Sequence, residues 1–317
     1  MAAAGFSLRS NAMASGGTVI GFVGTGTMGA PIAGHLVAAG HDVRVHDRSS
    51  FAMEGVEGAT PVPSAAAAAS GARCVFLSLP GPADVEQAVT GPDGVLAADP
   101  RPASVVDLST NSPDVVRALH ARCAAAGVGF VDAPVSGGRV KAVSGELAVM
   151  VGGTANDVAA VEPLLEPFAG QVFHVGPPGA GTVAKLVNNQ LFLAASVLVQ
   201  EAYVLGAAAG LEPSELHRII RASSGGPYAA LAPLLLGRDF DDVIFRLDIA
   251  TKDLTLAVDA AAAQGVSTPV SAAALEVYRD AIRSGFGLKA FHATLLQLER
   301  SAGGAELPPL TRTPRPS

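Results

Sequence analysis

Lys185 and Asn189 stand four residues apart in a long stretch free of proline, so a helix puts both on one face near its N-terminal end. An amine in the first turns of a helix feels the positive end of its dipole, and burial in a cleft adds desolvation. Both lower its pKa toward the range in which it can take and return a proton near neutrality. Asn189 then has the reach to hold the ammonium or a substrate oxygen. The plain alternative is a surface Lys–Asn pair on an amphipathic helix. Ser136-Gly137-Gly138, after a strand-like run, offers a hydroxyl and exposed backbone N–H groups, which suit a carboxylate, or is an ordinary loop. Lys252 either approaches substrate or cofactor or is an exposed lysine beside Asp253. Arg246 is either a second anchor for a carboxylate or hydroxyl, or the ion-pair partner of Asp248.

A second constellation names what such an amine would work beside. The apolar run Val19 to Val23 leads into Gly24-Thr25-Gly26-Thr27-Met28-Gly29 and an Ala-rich helical segment. Gly24 allows the tight turn out of the strand, Gly26 lets backbone approach a pyrophosphate, and Gly29 lets the helix pack closely on the strand. The helix start presents unpaired N–H groups to the phosphates. A second run, Val43 to His46, ends at Asp47, eighteen residues past Gly29, where a carboxylate can accept both hydroxyls of an adenine ribose. Asp47 favours NAD because it repels a 2′-phosphate. Arg48 is either a partner for that phosphate or a solvated loop cation, so NADP stays open.

These side chains need a scaffold, and the bulk numbers allow one. The 317 residues exceed what one core usually serves, so two domains are expected, and 49% hydrophobic residues suffice to fill them. The mean hydropathy of +0.39 is carried largely by alanine, and the longest apolar run, Leu191 to Val199, is too short to span a bilayer. A net charge of −7 without a basic stripe argues against nucleic acid. Cys74 and Cys123 lack metal-ligand or disulfide spacing and read as small buried hydrophobes in a reducing, cytoplasmic setting. The seven histidines form no metal pattern, and Glu146, Glu162 and Glu166 read as solvated charges.

Strand and helix signals alternate from Thr18 to about Gly179, with strands expected at 19–23, 43–46, 74–79, 105–107, 129–132, 147–151 and 172–175. Repeated βα units imply a parallel, doubly wound sheet that binds its ligand beyond the carboxyl ends of its strands. After the breaker-rich segment 176–181 the signals become helical: one long helix over 182–209, about 40 Å at 1.5 Å per residue, then helices over 213–223, 245–264, 269–284 and 290–300. The expected organisation is a disordered or non-native extension at 1–17, a Rossmann domain at 18–181, an all-helical domain at 182–303 and a disordered tail at 304–317. The extension has three readings: a weak organellar presequence, an added leader, or an upstream start with Met13 as the natural one. The alanine run 65–69 reads as a helix surface.

Taken together, the motifs resemble one family, the β-hydroxyacid dehydrogenases. The matching residues are Gly21 to Gly29, Asp107-Leu108-Ser109-Thr110, Asp132 to Gly138, Gly179-Ala180-Gly181 with Lys185, Asn188 and Asn189, and Lys252-Asp253-Leu254. They keep the family's order and spacing from about residue 18 to 300. The resemblance implies a Rossmann domain joined by a long helix to a helical domain that also makes the oligomer contact, as homodimer or homotetramer. It implies Lys185 as general acid/base with Asn189 as its partner, and Ser136, Gly137 and Gly138 as holders of the substrate carboxylate. Leu79, Pro80 and Thr110 would line the cofactor groove, with Lys252 near the nicotinamide. The implied substrate is a small 3-hydroxy acid or its semialdehyde, and no metal is implied. Residues 137–142 and 245–248 look closer to the tartronate semialdehyde reductase branch, Asn188-Asn189 to the 3-hydroxyisobutyrate branch. Three other readings differ from it. Imine reductases resemble the glycine loop but usually lack the lysine. The 6-phosphogluconate dehydrogenases carry a much longer helical region. A non-catalytic dinucleotide-binding module would have no use for an intact lysine.

Overall fold

The protein is described here by a computed structural model covering residues 17–304 and 306–310. The expectations for residues 1–16 and 311–317 lie outside the described residues.

Apolar runs buried on both faces build the first domain. Its strands are β1 (Val19–Val23), β2 (Asp42–His46), β3 (Thr60–Pro61), β4 (Cys74–Leu77), β5 (Ser104–Asp107), β6 (Gly129–Asp132), β7 (Val135–Ser136), β8 (Leu147–Gly152) and β9 (Ala169–Gly176). Alternation decides which side chain goes where: Ile20, Phe22, Cys74 and Phe76 enter one core, while Val23, Val75 and Leu77 enter the core on the opposite face. The first six strands are parallel in the order 3-2-1-4-5-6, the doubly wound order of dinucleotide-binding domains.

The expected parallel, doubly wound sheet is present, and beyond β6 the strand direction changes. β8 runs antiparallel to both β6 and β7, and β9 is parallel to β8. The chain doubles back through β7 and the helix Gly138–Ser144, so β8 enters reversed. β3 and β7 hold two residues each, too few to show any period. The alanine run is corrected: Ala65, Ala68 and Ala69 are buried. Its helix lies so close to β1 that a Cβ on Gly21 would stand 2.5 Å from the Ala68 carbonyl oxygen. Alanine reads alike in sequence whether it faces water or a sheet.

The long helix Ala180–Ala208 begins in the crevice of the sheet and continues into the second domain. Length and composition alone would let its 29 residues cross a membrane. Here it packs against β8 and against the helices Leu247–Ala263 and Pro269–Arg283. Leu193, Tyr203, Leu235, Leu254, Tyr278 and Phe291 form the core of this all-helical domain.

Of the tail expected to be disordered, residues 306–310 pack on the helical domain. Leu307 and Leu310 are buried in the helical core, and the Leu310 N–H donates to the Leu236 carbonyl at 3.2 Å. A buried Arg238–Glu299 pair at 2.5 Å holds the strap, with the Leu307 N–H on the same carboxylate at 2.8 Å. Its prolines signal the end of helix, and two leucines still find apolar surface.

Candidate active site

A cleft of about 1370 Å³ opens between the domains. Pockets for a single small ligand run to about 300–1,000 Å³, so this one has room for a dinucleotide and a second molecule. Every residue singled out from sequence for cofactor, substrate or chemistry lines it except Thr25. Thr25 is 3% exposed, and its N–H donates to Asp47 Oδ2 at 2.9 Å, so it braces the loop from behind.

The glycine loop fits a pyrophosphate. A Cβ on Gly29 would stand 1.9 Å from the Gly24 carbonyl oxygen, which is why helix and loop can touch only through glycine. At Gly26 a Cβ would meet nothing within 4 Å, so the space above that backbone is open to the cleft. Met28 caps the helix Gly29–Ala38 without a side-chain bond, leaving first-turn N–H groups for an anion. Asp47 ends β2 with Oδ1 on the Ser49 N–H at 2.9 Å, and both carboxylate oxygens keep a lone pair for ribose hydroxyls. Arg48 is 82% exposed and 3.4 Å from Asp84.

A chain of buried bonds sets the rest of the groove. Asp107 accepts the Ser109 N–H at 3.0 Å and the Asn111 amide at 2.8 Å, and the Ser109 hydroxyl accepts the Leu79 N–H at 2.9 Å. The Leu79-Pro80 and Thr110 turns are thereby locked to each other. Burial raises the Asp107 pKa, against the pull of these bonds and of Lys252. Lys252 crosses from the helical domain and donates to the Thr110 carbonyl at 2.9 Å.

Lys185 lies in the second turn of the long helix, partly buried, and lines the cleft. Desolvation holds its ammonium below the ordinary lysine range; the Asp253 carboxylate opposes this and the Lys252 charge adds to it. Asn189 is buried on the same face, but its amide is committed elsewhere than the lysine. Its Nδ2 donates to Asp253 Oδ2 at 2.7 Å, and its Oδ1 accepts from Asn188 at 3.1 Å. Asp253, 2% exposed, also pairs with the Lys252 ammonium at 2.8 Å.

The start of the long helix is pinned by Asp132, whose two oxygens accept the Gly179 and Thr182 N–H groups at 2.8 and 2.7 Å. Burial pushes its pKa up to about 6 despite those bonds. Ser136, Gly137 and Gly138 face the cleft where β7 ends. Arg246 lines the opposite wall, but its guanidinium is paired with Asp248 through Nε at 3.0 Å and through Nη2. Of its two sequence readings the ion-pair partner is the one observed.

Asp107, Asp132 and Asp253 were not singled out as site residues from sequence. A signal was present for two of them: Asp107 and Asp132 each close an apolar strand and stand side by side in register at the carboxyl edge of the sheet. For Asp253 the sequence showed only the lysine next to it, Lys252, because its amide partner Asn189 lies 64 residues away.

The comparisons with known proteins agree with this geometry. A family model described as the NAD binding domain of 6-phosphogluconate dehydrogenase matches residues 19–176. One described as NAD-binding of NADP-dependent 3-hydroxyisobutyrate dehydrogenase matches 179–298. An NAD-dependent L-serine dehydrogenase of Pseudomonas aeruginosa is 38% identical over 283 residues, covering 86% of this chain and 95% of the relative. A 2-(hydroxymethyl)glutarate dehydrogenase of Eubacterium barkeri is 34% identical, covering 90% and 96%. Among solved structures, the 3-hydroxyisobutyrate dehydrogenase of Mycobacterium tuberculosis with L-serine superposes with a TM-score of 0.79 at 34% identity, covering 89% and 99%. Fold and cleft define a nicotinamide-dinucleotide oxidoreductase. The chain belongs to the β-hydroxyacid dehydrogenase family, and it is an NAD(P)-dependent hydroxyacid dehydrogenase.

Proposed function

We propose that the protein interconverts a 3-hydroxy acid and its semialdehyde, with Lys185 as general acid/base. The substrates named for the three relatives above share one fragment, HOCH2–CH–COO−, and differ in what C2 carries: an ammonium, a carboxyethyl group or a methyl. Ser136 and the Gly137 and Gly138 N–H groups hold the carboxylate of that fragment. Lys185 takes the proton from the primary hydroxyl during oxidation and returns one to the carbonyl oxygen during reduction. The bound nicotinamide supplies the hydride acceptor or donor. Asp253 keeps Asn189 and Lys252 in place beside the lysine, and Lys252 holds the Thr110 turn against the cofactor groove.

What carries this reading is one observation: a desolvated amine opens into the same cleft as a glycine loop with free space above Gly26. Asp47 supports NAD over NADP. An exposed apolar stripe on the long helix, Val183, Val187, Leu191, Leu198 and Leu205, supports a homodimer or homotetramer.

The test is a panel of 3-hydroxy acids with and without the shared fragment, each run with NAD and with NADP and read by absorbance of the reduced cofactor. Turnover of fragment-bearing acids with NAD is expected. A protein that binds NADH yet oxidises none of them would end the proposal.

A further inference from the structure

The shared fragment leaves one variable, the group on C2, and the side of the cleft that the helical domain supplies has a definite character. Phe192, Leu234, Val243, Phe245, Ile249 and Phe291 contribute to that wall, all from the helical domain. Two further aliphatic side chains on it, Ile244 and Leu288, are 38% and 71% exposed. Apolar surface left open at the mouth of a cleft is surface that a ligand's apolar group can take from water, at about 25 cal/mol per Å².

Of the cations that the helical domain brings to the cleft, Lys185 and Lys252 are taken by the reacting fragment and the Thr110 turn, and the charge of Arg246 is already balanced. Asp248 meets it through two parallel contacts, and Asp248 is itself fixed, with Oδ1 accepting the Ile249 N–H at 2.7 Å at the start of a helix whose dipole favours a carboxylate. A second anion on the substrate would meet a neutral pair and one carboxylate oxygen close by. It would have to shed water for no net attraction. Lys185 and the Ser136-Gly137-Gly138 turn, in the reading above, serve the reacting fragment.

Resting on the reading of Lys185 and the shared fragment, we infer that this enzyme selects 3-hydroxy acids whose C2 carries an uncharged alkyl group larger than methyl, and that the Arg246–Asp248 pair excludes acids with a second anionic group. The wall accepts the alkyl group, and the neutral pair rejects the dianion.

The experiment compares 3-hydroxypropionates bearing methyl, ethyl, propyl or carboxyethyl at C2. In the wild type kcat/KM rises from methyl to ethyl and propyl, and carboxyethyl falls about tenfold or more below ethyl, the discrimination one pocket contact can supply. Asp248→Asn frees the guanidinium and raises kcat/KM for the carboxyethyl acid about tenfold, keeping the alkyl order. A wild type that favours methyl over ethyl and propyl, or that turns over the carboxyethyl acid as well as the ethyl one, overturns the inference. A second arm needs no turnover: isobutyrate, 2-methylbutyrate and 2-methylglutarate, which lack the hydroxyl, are ranked by the rise in Tm they give the NADH complex. 2-Methylbutyrate ranking first supports the inference, and 2-methylglutarate ranking first refutes it. Failure of every hydroxy acid to react, with this binding order intact, would strike the catalytic reading and leave the selectivity standing.

Discussion

Asn189 and Asp253 meet through a 2.7 Å hydrogen bond across 64 residues of chain, joining the long helix to the helix that carries Lys252. One buried carboxylate thereby holds an amide and an ammonium, and its charge reaches a second amine.

Removing that charge should show in a pH profile. The Asp253 carboxylate raises the Lys185 pKa against desolvation, so Asp253→Asn should lower it further. Oxidation needs the neutral amine, and its acid limb should move to lower pH. A charge-assisted buried bond is worth about 1.5–3 kcal/mol, so Asp253→Ala should also lower Tm. A lowered Tm with an unmoved acid limb would leave Asp253 a purely structural role.

Lys185→Ala should abolish turnover while NADH binding, followed by fluorescence, survives. In the wild type, oxidation should rise with pH through a pKa below the usual lysine value, because the base must be neutral. Reduction should fall through the same pKa, because the acid must be charged. Unchanged kcat in the variant would remove the lysine from the mechanism.

Two glycines of one loop should fail differently. Gly29→Ala places a Cβ against the Gly24 carbonyl and should destabilise the fold by a few kcal/mol, of the order overpacking costs (about 1–3 kcal/mol). Gly26→Ala meets no protein atom, so Tm should hold while affinity for NADH falls at least about tenfold, because the methyl occupies the pyrophosphate's approach. Equal NADH affinity in Gly26→Ala would place the phosphates elsewhere.

Asp132 should give stability a slope with pH. Its folded pKa of about 6 lies above the ordinary aspartate value of 3.8, so the folded state holds more protons between those values. Stability from this group is present below the lower value and is lost as pH rises through the upper one, to about 3 kcal/mol at 1.36 kcal/mol per pKa step. Asp132→Asn should lose one helix-capping acceptor, which costs stability at low pH, and it should lack the slope, so it gains on the wild type as pH rises. Chemical denaturation of both proteins at pH 5 and pH 7 measures it; parallel slopes would contradict the assignment.

The doubly wound sheet, the long helix and the residues of the cleft could be read from the chain because each rests on local chemistry. A strand buried on both faces must be a run of apolar residues, a phosphate turn must be glycine, and a helix without proline continues. Where the physics was not local, reading stopped. Alanines 65–69 carry no sign of which side they face, β3 and β7 are too short to show a period, and Leu307 and Leu310 follow a segment that only prolines mark. The commitment of Asn189 to Asp253 rather than to Lys185, the balancing of Arg246 by Asp248 and the capping of the long helix by Asp132 were decided by tertiary structure alone. The sequence by itself determined which groups are available for dehydrogenation. Folding decided which are buried and what each one faces, because desolvation and Coulomb interaction depend on distance through space and not on separation along the chain.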